Sequence, residues 1–174
     1  STPINERGII RQPDLVAVAD DSLVAMPAAG VLQGLDEHSV MLINSHESAT
    51  TWQQRLNLAG PVLILPVHES AADRADLLLA GTACAGAAAR LVGVISRSAL
   101  AGAVQTELEP LGDRLVEQNL QTALHAFDAM DGHAGTVTAG PETSASDYTL
   151  PDWIGMTVED VARAAPSIHA AANS

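Results

Sequence analysis

An α/β fold of three layers is the architecture this sequence predicts, and three observations predict it. Residues 15–19 (Leu-Val-Ala-Val-Ala), 40–44 (Val-Met-Leu-Ile-Asn) and 62–67 (Val-Leu-Ile-Leu-Pro-Val) are short apolar runs without polar alternation. Strands buried on both faces read in this way, as parallel strands do. Segments with helix signals separate the runs, giving the order strand, helix, strand, helix. Each run closes on polar residues: Asp20, Asn44-Ser45-His46-Glu47 and His68-Glu69-Ser70. The expected architecture is Rossmann-like: a mostly parallel sheet, helices on both faces and an extended C-terminal arm.

The elements follow in order. Residues 1–12 are polar and turn-like, with Pro3 and Gly8. After the first strand, Asp21 and Ser22 are both candidate N-caps for a short turn over Leu23-Val24-Ala25-Met26, which Pro27 interrupts. Residues 28–35 form a loop or a second short helix. After the second strand, Ser48 or Thr50 caps a helix carrying Trp52, Leu56 and Leu58, stopped at Gly60-Pro61. Beyond the third strand the pattern is helical only. Residues 71–94 form a long Ala- and Gly-rich helix in which Gly81, Gly86 and Gly93 each cost about 1 kcal/mol relative to Ala. Close backbone approach to another element would explain that cost. Ser96 and Ser98 are candidate caps for a helix through Leu100, Val104 and Leu108, broken by Pro110 and Gly112. Residues 113–130 are amphipathic, with Leu115, Leu120, Leu124 and Phe127 near helical spacing, and Asp131-Gly132 stops them.

From Gly135 the composition turns to Thr, Ser and Gly, so residues 1–134 read as the α/β domain and 135–174 as a linker and docking arm. Within the arm, Thr157-Val158-Glu159-Asp160 resembles a capping box with Asp as acceptor, opening a helix that Pro166 ends.

Composition excludes several classes. The net charge of −13 argues against nucleic acid, which needs clustered basic residues, and against anionic membrane surfaces. All eight basic residues are Arg. Without Lys, neither a pyridoxal phosphate Schiff base nor a Walker A loop can form. The one cysteine, Cys84, forms no internal disulfide and holds no Cys-based cluster. Residues 77–95 are the most membrane-like stretch, yet they are Ala- and Gly-rich, contain Arg90, and read as a buried helix. No signal peptide is recognisable at the start, and the expected location is cytoplasmic.

No complete catalytic or metal-binding motif is present. There is no Cys-x-x-Cys, His-Glu-x-x-His, Gly-x-Ser-x-Gly or Gly-x-Gly-x-x-Gly, and the six histidines lack metal-ligand spacing. What remains is position. Open α/β sheets place ligands at the carboxyl ends of their strands. Asp20, Asn44, Ser45, His46, Glu47 and residues 68–70 stand there, and Asn, Ser and Glu at such places also serve as loop and cap residues.

The run Pro13-Asp14-Leu15-Val16-Ala17-Val18-Ala19-Asp20-Asp21-Ser22-Leu23 resembles the middle of the gamma module of 2-oxoacid:ferredoxin oxidoreductases, as does Val40-Met41-Leu42-Ile43-Asn44-Ser45. The helical half is similar too, at Leu91-Val92-Gly93-Val94-Ile95-Ser96 and Val116-Glu117-Gln118-Asn119-Leu120-Gln121-Thr122-Ala123-Leu124. The arm from Leu150-Pro151-Asp152-Trp153-Ile154 looks like the tail of some gamma chains. The family module's opening strand and Gly-rich turn are missing, as is the asparagine often found near the start of its long helix. The resemblance therefore implies a gamma module without its first unit, in which the sheet edge near strand one is completed by another polypeptide or by residues outside this chain.

The resemblance further implies an accessory subunit with no catalytic residue and no cofactor of its own. Thiamine diphosphate, Mg²⁺ and [4Fe–4S] clusters would sit on alpha-, beta- and delta-type partner subunits, with ferredoxin or another acceptor taking the electrons. The assembly would decarboxylate a 2-oxoacid oxidatively to an acyl-CoA. Asn44, Ser45 and His46 are the candidate residues for framing a coenzyme A site. The alternatives are a free-standing α/β domain binding a nucleotide or CoA-like ligand, and a purely structural interaction module.

Overall fold

The protein is described by a computed structural model covering residues 10, 12–65, 74–140, 154, 156–157 and 160. Three parallel strands, β1 (Leu15–Val18), β2 (Val40–Asn44) and β3 (Val62–Leu65), lie in the order β1-β2-β3. The register pairs Leu15 with Val40 and Met41 with Val62. Each apolar run thus forms a strand. The described part of the third ends at Leu65, and residues 66–73, including His68, Glu69 and Ser70, lie outside the described residues.

β2 is central, and its side chains divide the core in two. Met41 and Ile43 face one layer with Val18, Val24, Trp52 and Leu56. Val40 and Leu42 face the other with Leu65, Ala83, Cys84, Ala87 and Leu91. All four β2 residues are at most 1% exposed, as expected of a strand covered on both faces. Full burial of each such side chain stabilises the fold by about 1.5–3 kcal/mol.

The first layer comprises helix α1 (Ala49–Leu56) and two 3-10 turns, Asp21–Ala25 and Pro27–Ala29. Asp20, not Asp21 or Ser22, caps the first turn: its carboxylate accepts from the Ser22 N–H at 2.9 Å. The turn starts one residue after the strand's polar end, so the first acid is the one placed to cap. Ser48, rather than Thr50, caps α1 by accepting from the Thr51 N–H at 3.1 Å. Asn57, with φ of 51°, ends that helix, earlier than Gly60, and Leu58 packs on the core from outside it.

The second layer holds α2 (Arg74–Val92), and α4 (Asp113–Ala129) packs along it, with α3 (Arg97–Leu108) packed in turn on α4. Ser96 caps α3 through the Ala99 N–H at 3.1 Å. The close approach expected of the α2 glycines holds at Gly86, where a Cβ would collide with the Ala123 backbone of α4. Gly93 has φ of 79° just past the helix end, a conformation that favours glycine. Gly81 is open to solvent, and nothing in the structure explains its presence. A polar pair, buried Asn119 with half-buried Thr82, joins the helices: the Thr82 hydroxyl donates to Asn119 Oδ1 at 2.5 Å, and Asn119 Nδ2 donates to the Leu115 carbonyl at 2.8 Å. Among the described residues, no helix is long and apolar enough to cross a membrane.

Residues 135–140 are attached to this body. The Gly135 and Val137 N–H groups donate to the Arg90 and Leu91 carbonyls at 3.2 and 3.1 Å, and the Gly140 N–H donates to Asp14 Oδ1 at 2.8 Å. Further along, Ile154 packs against the α1-side core. Thr157 and Asp160 cap each other, the Thr157 N–H donating at 3.0 Å and the Asp160 N–H returning a bond at 3.3 Å, so the capping box forms. The rest of the arm lies outside the described residues.

Candidate functional site

The carboxyl ends of β1 and β2 bring together residues far apart in sequence. Asn44, the last residue of β2, donates through Nδ2 to the Ala19 carbonyl at 3.0 Å and ties the two strand ends together. The next residue, Ser45, is 2% exposed. Its hydroxyl donates to Asp21 Oδ2 at 2.6 Å and accepts from the Trp52 indole N–H at 3.0 Å and the Glu47 N–H at 3.1 Å. A hydroxyl offers one donor and two acceptor sites, so Ser45 is saturated. It fixes the post-β1 turn, the post-β2 loop and α1 to one another.

Above this base lie the accessible groups. His46 and Glu47 are exposed, as is Asp20, while Asn44 is half-buried. Glu47 turns to Arg55, whose Nη2 donates to Glu47 Oε1 at 3.1 Å, and the guanidinium lies 5.5 Å from the centre of the Trp52 ring. His46 and Glu47, neighbours in sequence, therefore do not pair as an acid–base couple. The Ser22 hydrogen bonds hold the Asp20 carboxyl below its ordinary value, so it is a carboxylate at neutral pH. The arrangement is a ledge at the carboxyl ends of β1 and β2 offering an imidazole, an amide and a carboxylate for hydrogen bonding. Among its described residues none is an activated nucleophile.

The three residues singled out from sequence thus differ in place. Asn44 and Ser45 are joined to the frame, Ser45 deeply so, and His46 stands outside it. In the sequence Asp21 reads as a candidate cap and Trp52 as a residue of the following helix, and neither reads as a partner of Ser45. The indole nitrogen seven residues after Ser45 was the available signal, because a buried Trp N–H needs an acceptor.

Cys84 lies in the core between sheet and α2, and burial raises its thiol pKa. An inert structural thiol fits that setting. Among the described residues no group of three His, Cys, Asp or Glu is placed to hold a metal ion. A separate groove of about 600 Å³, lined by residues including Arg97, Gln118, His125 and Asp128, lies on the α3–α4 face. Its Arg97 is held by Asp128 through bonds of 3.0 Å from Nε and from Nη2.

Comparison with known proteins places this geometry in context. Residues 1–129 match the family model described as pyruvate ferredoxin/flavodoxin oxidoreductase. A crystal structure of the pyruvate oxidoreductase subunit PORC from Thermotoga maritima shares the fold with a TM-score of 0.53 at 17% identity. The match covers 68% of this chain and 64% of that one, so the chain spans less than two thirds of that relative. No curated protein matches the chain.

Proposed function

We propose that this chain, which belongs to the pyruvate ferredoxin/flavodoxin oxidoreductase family, is a gamma-type accessory subunit of a 2-oxoacid:ferredoxin oxidoreductase. The complex would convert a 2-oxoacid to an acyl-CoA and pass the electrons to ferredoxin or another acceptor. The observation that carries this reading is the family match, which extends over three strands and four helices of the α/β body.

In this reading thiamine diphosphate, Mg²⁺ and the [4Fe–4S] clusters belong to alpha-, beta- and delta-type partners. A four-iron cluster needs four thiolates. The chain's sole thiol, Cys84, is buried, so its residues do not fit such a group. Residues 1–134 would be the α/β body and 135–174 the docking arm, and the complex would work in the cytoplasm. On the ledge, His46 and Asn44 would contact coenzyme A, while Ser45 positions them from beneath.

Native mass spectrometry of the protein purified from its source tests this reading. Co-purification with larger thiamine- and cluster-binding chains is expected. Full function as a lone chain would overturn it, and tight coenzyme A binding by the isolated chain would favour a free-standing binding domain. In the assembled enzyme, His46→Ala should raise the apparent KM for coenzyme A while leaving that for the 2-oxoacid unchanged. An unchanged coenzyme A KM would remove the ledge from the site.

A further inference from the structure

Donors and acceptors are used unevenly at the carboxyl ends of β1 and β2. A phosphate is usually held by backbone N–H groups, with Lys or Arg beside them. On the ledge those donors are already taken. The Ser22 N–H goes to Asp20 Oδ1 at 2.9 Å, and the Leu23 N–H to the Asp20 carbonyl at 3.1 Å. The Glu47 N–H goes to Ser45 Oγ at 3.1 Å, and the Thr51 N–H to Ser48 Oγ at 3.1 Å. Residues 19–39 and 45–61, which follow the two strands, contain one Arg. That residue, Arg55, is joined to Glu47 at 3.1 Å.

Acceptors remain. Asn44 uses Nδ2 on the Ala19 carbonyl at 3.0 Å, which leaves Oδ1 as the accepting end of its amide. Asp20 is exposed and ionised at neutral pH, and Ser22 fills only part of its accepting capacity. Asp21 and Glu47 add further carboxylates beside it. Coenzyme A has two chemically different ends. Its phosphates bring negative charge and accept hydrogen bonds, so they meet like charge and no vacant donor here. Its pantetheine arm is uncharged and brings amide N–H groups and a hydroxyl, the donors that this set of acceptors lacks.

We propose that the ledge receives the pantetheine arm of coenzyme A, whose N–H and O–H groups donate to Asp20 and Asn44 Oδ1, and that the phosphates and adenine lie off it. The acids at the strand ends then act in two ways. They accept from the arm, and they keep the nucleotide end from settling in its place. This rests on the reading of the ledge as a coenzyme A contact.

Two fragments of coenzyme A, used as inhibitors of its turnover by the assembled enzyme, test the proposal. S-methylpantetheine carries the arm with its thiol blocked, and adenosine 3′,5′-bisphosphate carries the other end. Asp20→Asn removes the charge while Asn can still cap the turn, and His46→Ala changes an exposed side chain. Each should raise the inhibition constant of S-methylpantetheine by roughly threefold to tenfold, as loss of one hydrogen bond would. Each should leave that of the bisphosphate unchanged. Glu107→Gln, the same loss of charge at an exposed position on α3, should move neither. A native enzyme that S-methylpantetheine does not inhibit overturns the proposal. So do variants that weaken the bisphosphate and spare the arm, and so does an Asp20→Asn enzyme that binds the bisphosphate more tightly, because the acid would then face the phosphates. These last two outcomes keep the ledge in the coenzyme A site. Variants that alter neither fragment remove the ledge from that site and overturn both readings of it, while co-purification continues to decide the subunit reading separately.

Discussion

The Ser45 hydroxyl donates to the Asp21 carboxylate across 2.6 Å, joining the loop after β2 to the turn after β1. The same oxygen receives the Trp52 indole N–H. Replacing Ser45 with Ala would strand a buried donor on Trp52, at a cost of about 1–3 kcal/mol. Urea denaturation should show this loss, and the double substitution Ser45→Ala with Trp52→Phe should lose less than the sum of the two single changes.

Gly86 and Gly81 provide a paired test of the α2–α4 contact. A methyl group at Gly86 would enter the Ala123 backbone, so Gly86→Ala should destabilise by about 1–3 kcal/mol. At Gly81 the methyl meets nothing within 4 Å, and Gly81→Ala should stabilise by about 0.5–1 kcal/mol. Thermal melts of the two variants should move in opposite directions.

The Thr82–Asn119 pair should show the asymmetry of buried polar groups. Asn119 is 2% exposed, and Thr82→Val would remove a donor from its side-chain oxygen. That variant should lose about 1–3 kcal/mol, whereas Thr82→Val combined with Asn119→Leu should recover most of the loss.

Asp36 carries a pH dependence. It accepts the His38 N–H at 2.8 Å and the Ser39 N–H at 3.0 Å, and these bonds, the His38 one foremost, hold its carboxyl below the ordinary range. A depressed folded-state value adds stability above the unfolded value of about 3.9 and loses it as pH falls through the folded value. Asp36→Asn should therefore be less stable than the native chain at pH 6. The gap should narrow below about pH 4, as measured by urea midpoints across that range.

The strands were legible because each is a continuous apolar run, and the central one is buried on both faces. The caps were less so. Several acids and hydroxyls stand in a row at 20–22 and 48–51, and which one serves depends on where the chain leaves the sheet. The buried face of α4 was misleading in sequence. Leu115, Leu120 and Leu124 dominate its periodicity, yet Asn119, Ala123 and Ala126 are the buried residues beside Phe127, while the leucines are half-buried. The backbone approach at Gly86 requires small residues there, a demand set by the partner helix. At the ledge, the candidate positions were readable from the strand ends. The role of Ser45 was not, because Asp21 lies 24 residues away from it and nothing local links the two.

The bond between Gly140 and Asp14 closes a separation of 126 residues. Among the described residues the strand pairings, by contrast, join neighbours in sequence order. Loops that short close early in folding, and the longest one closes late. The Gly140–Asp14 bond is therefore expected to form after the folding barrier has been crossed. Weakening it at Asp14 should speed unfolding and leave the refolding rate nearly unchanged. On that expectation the Gly140–Asp14 bond bears on how long the folded body lasts, and the sheet on how quickly it forms.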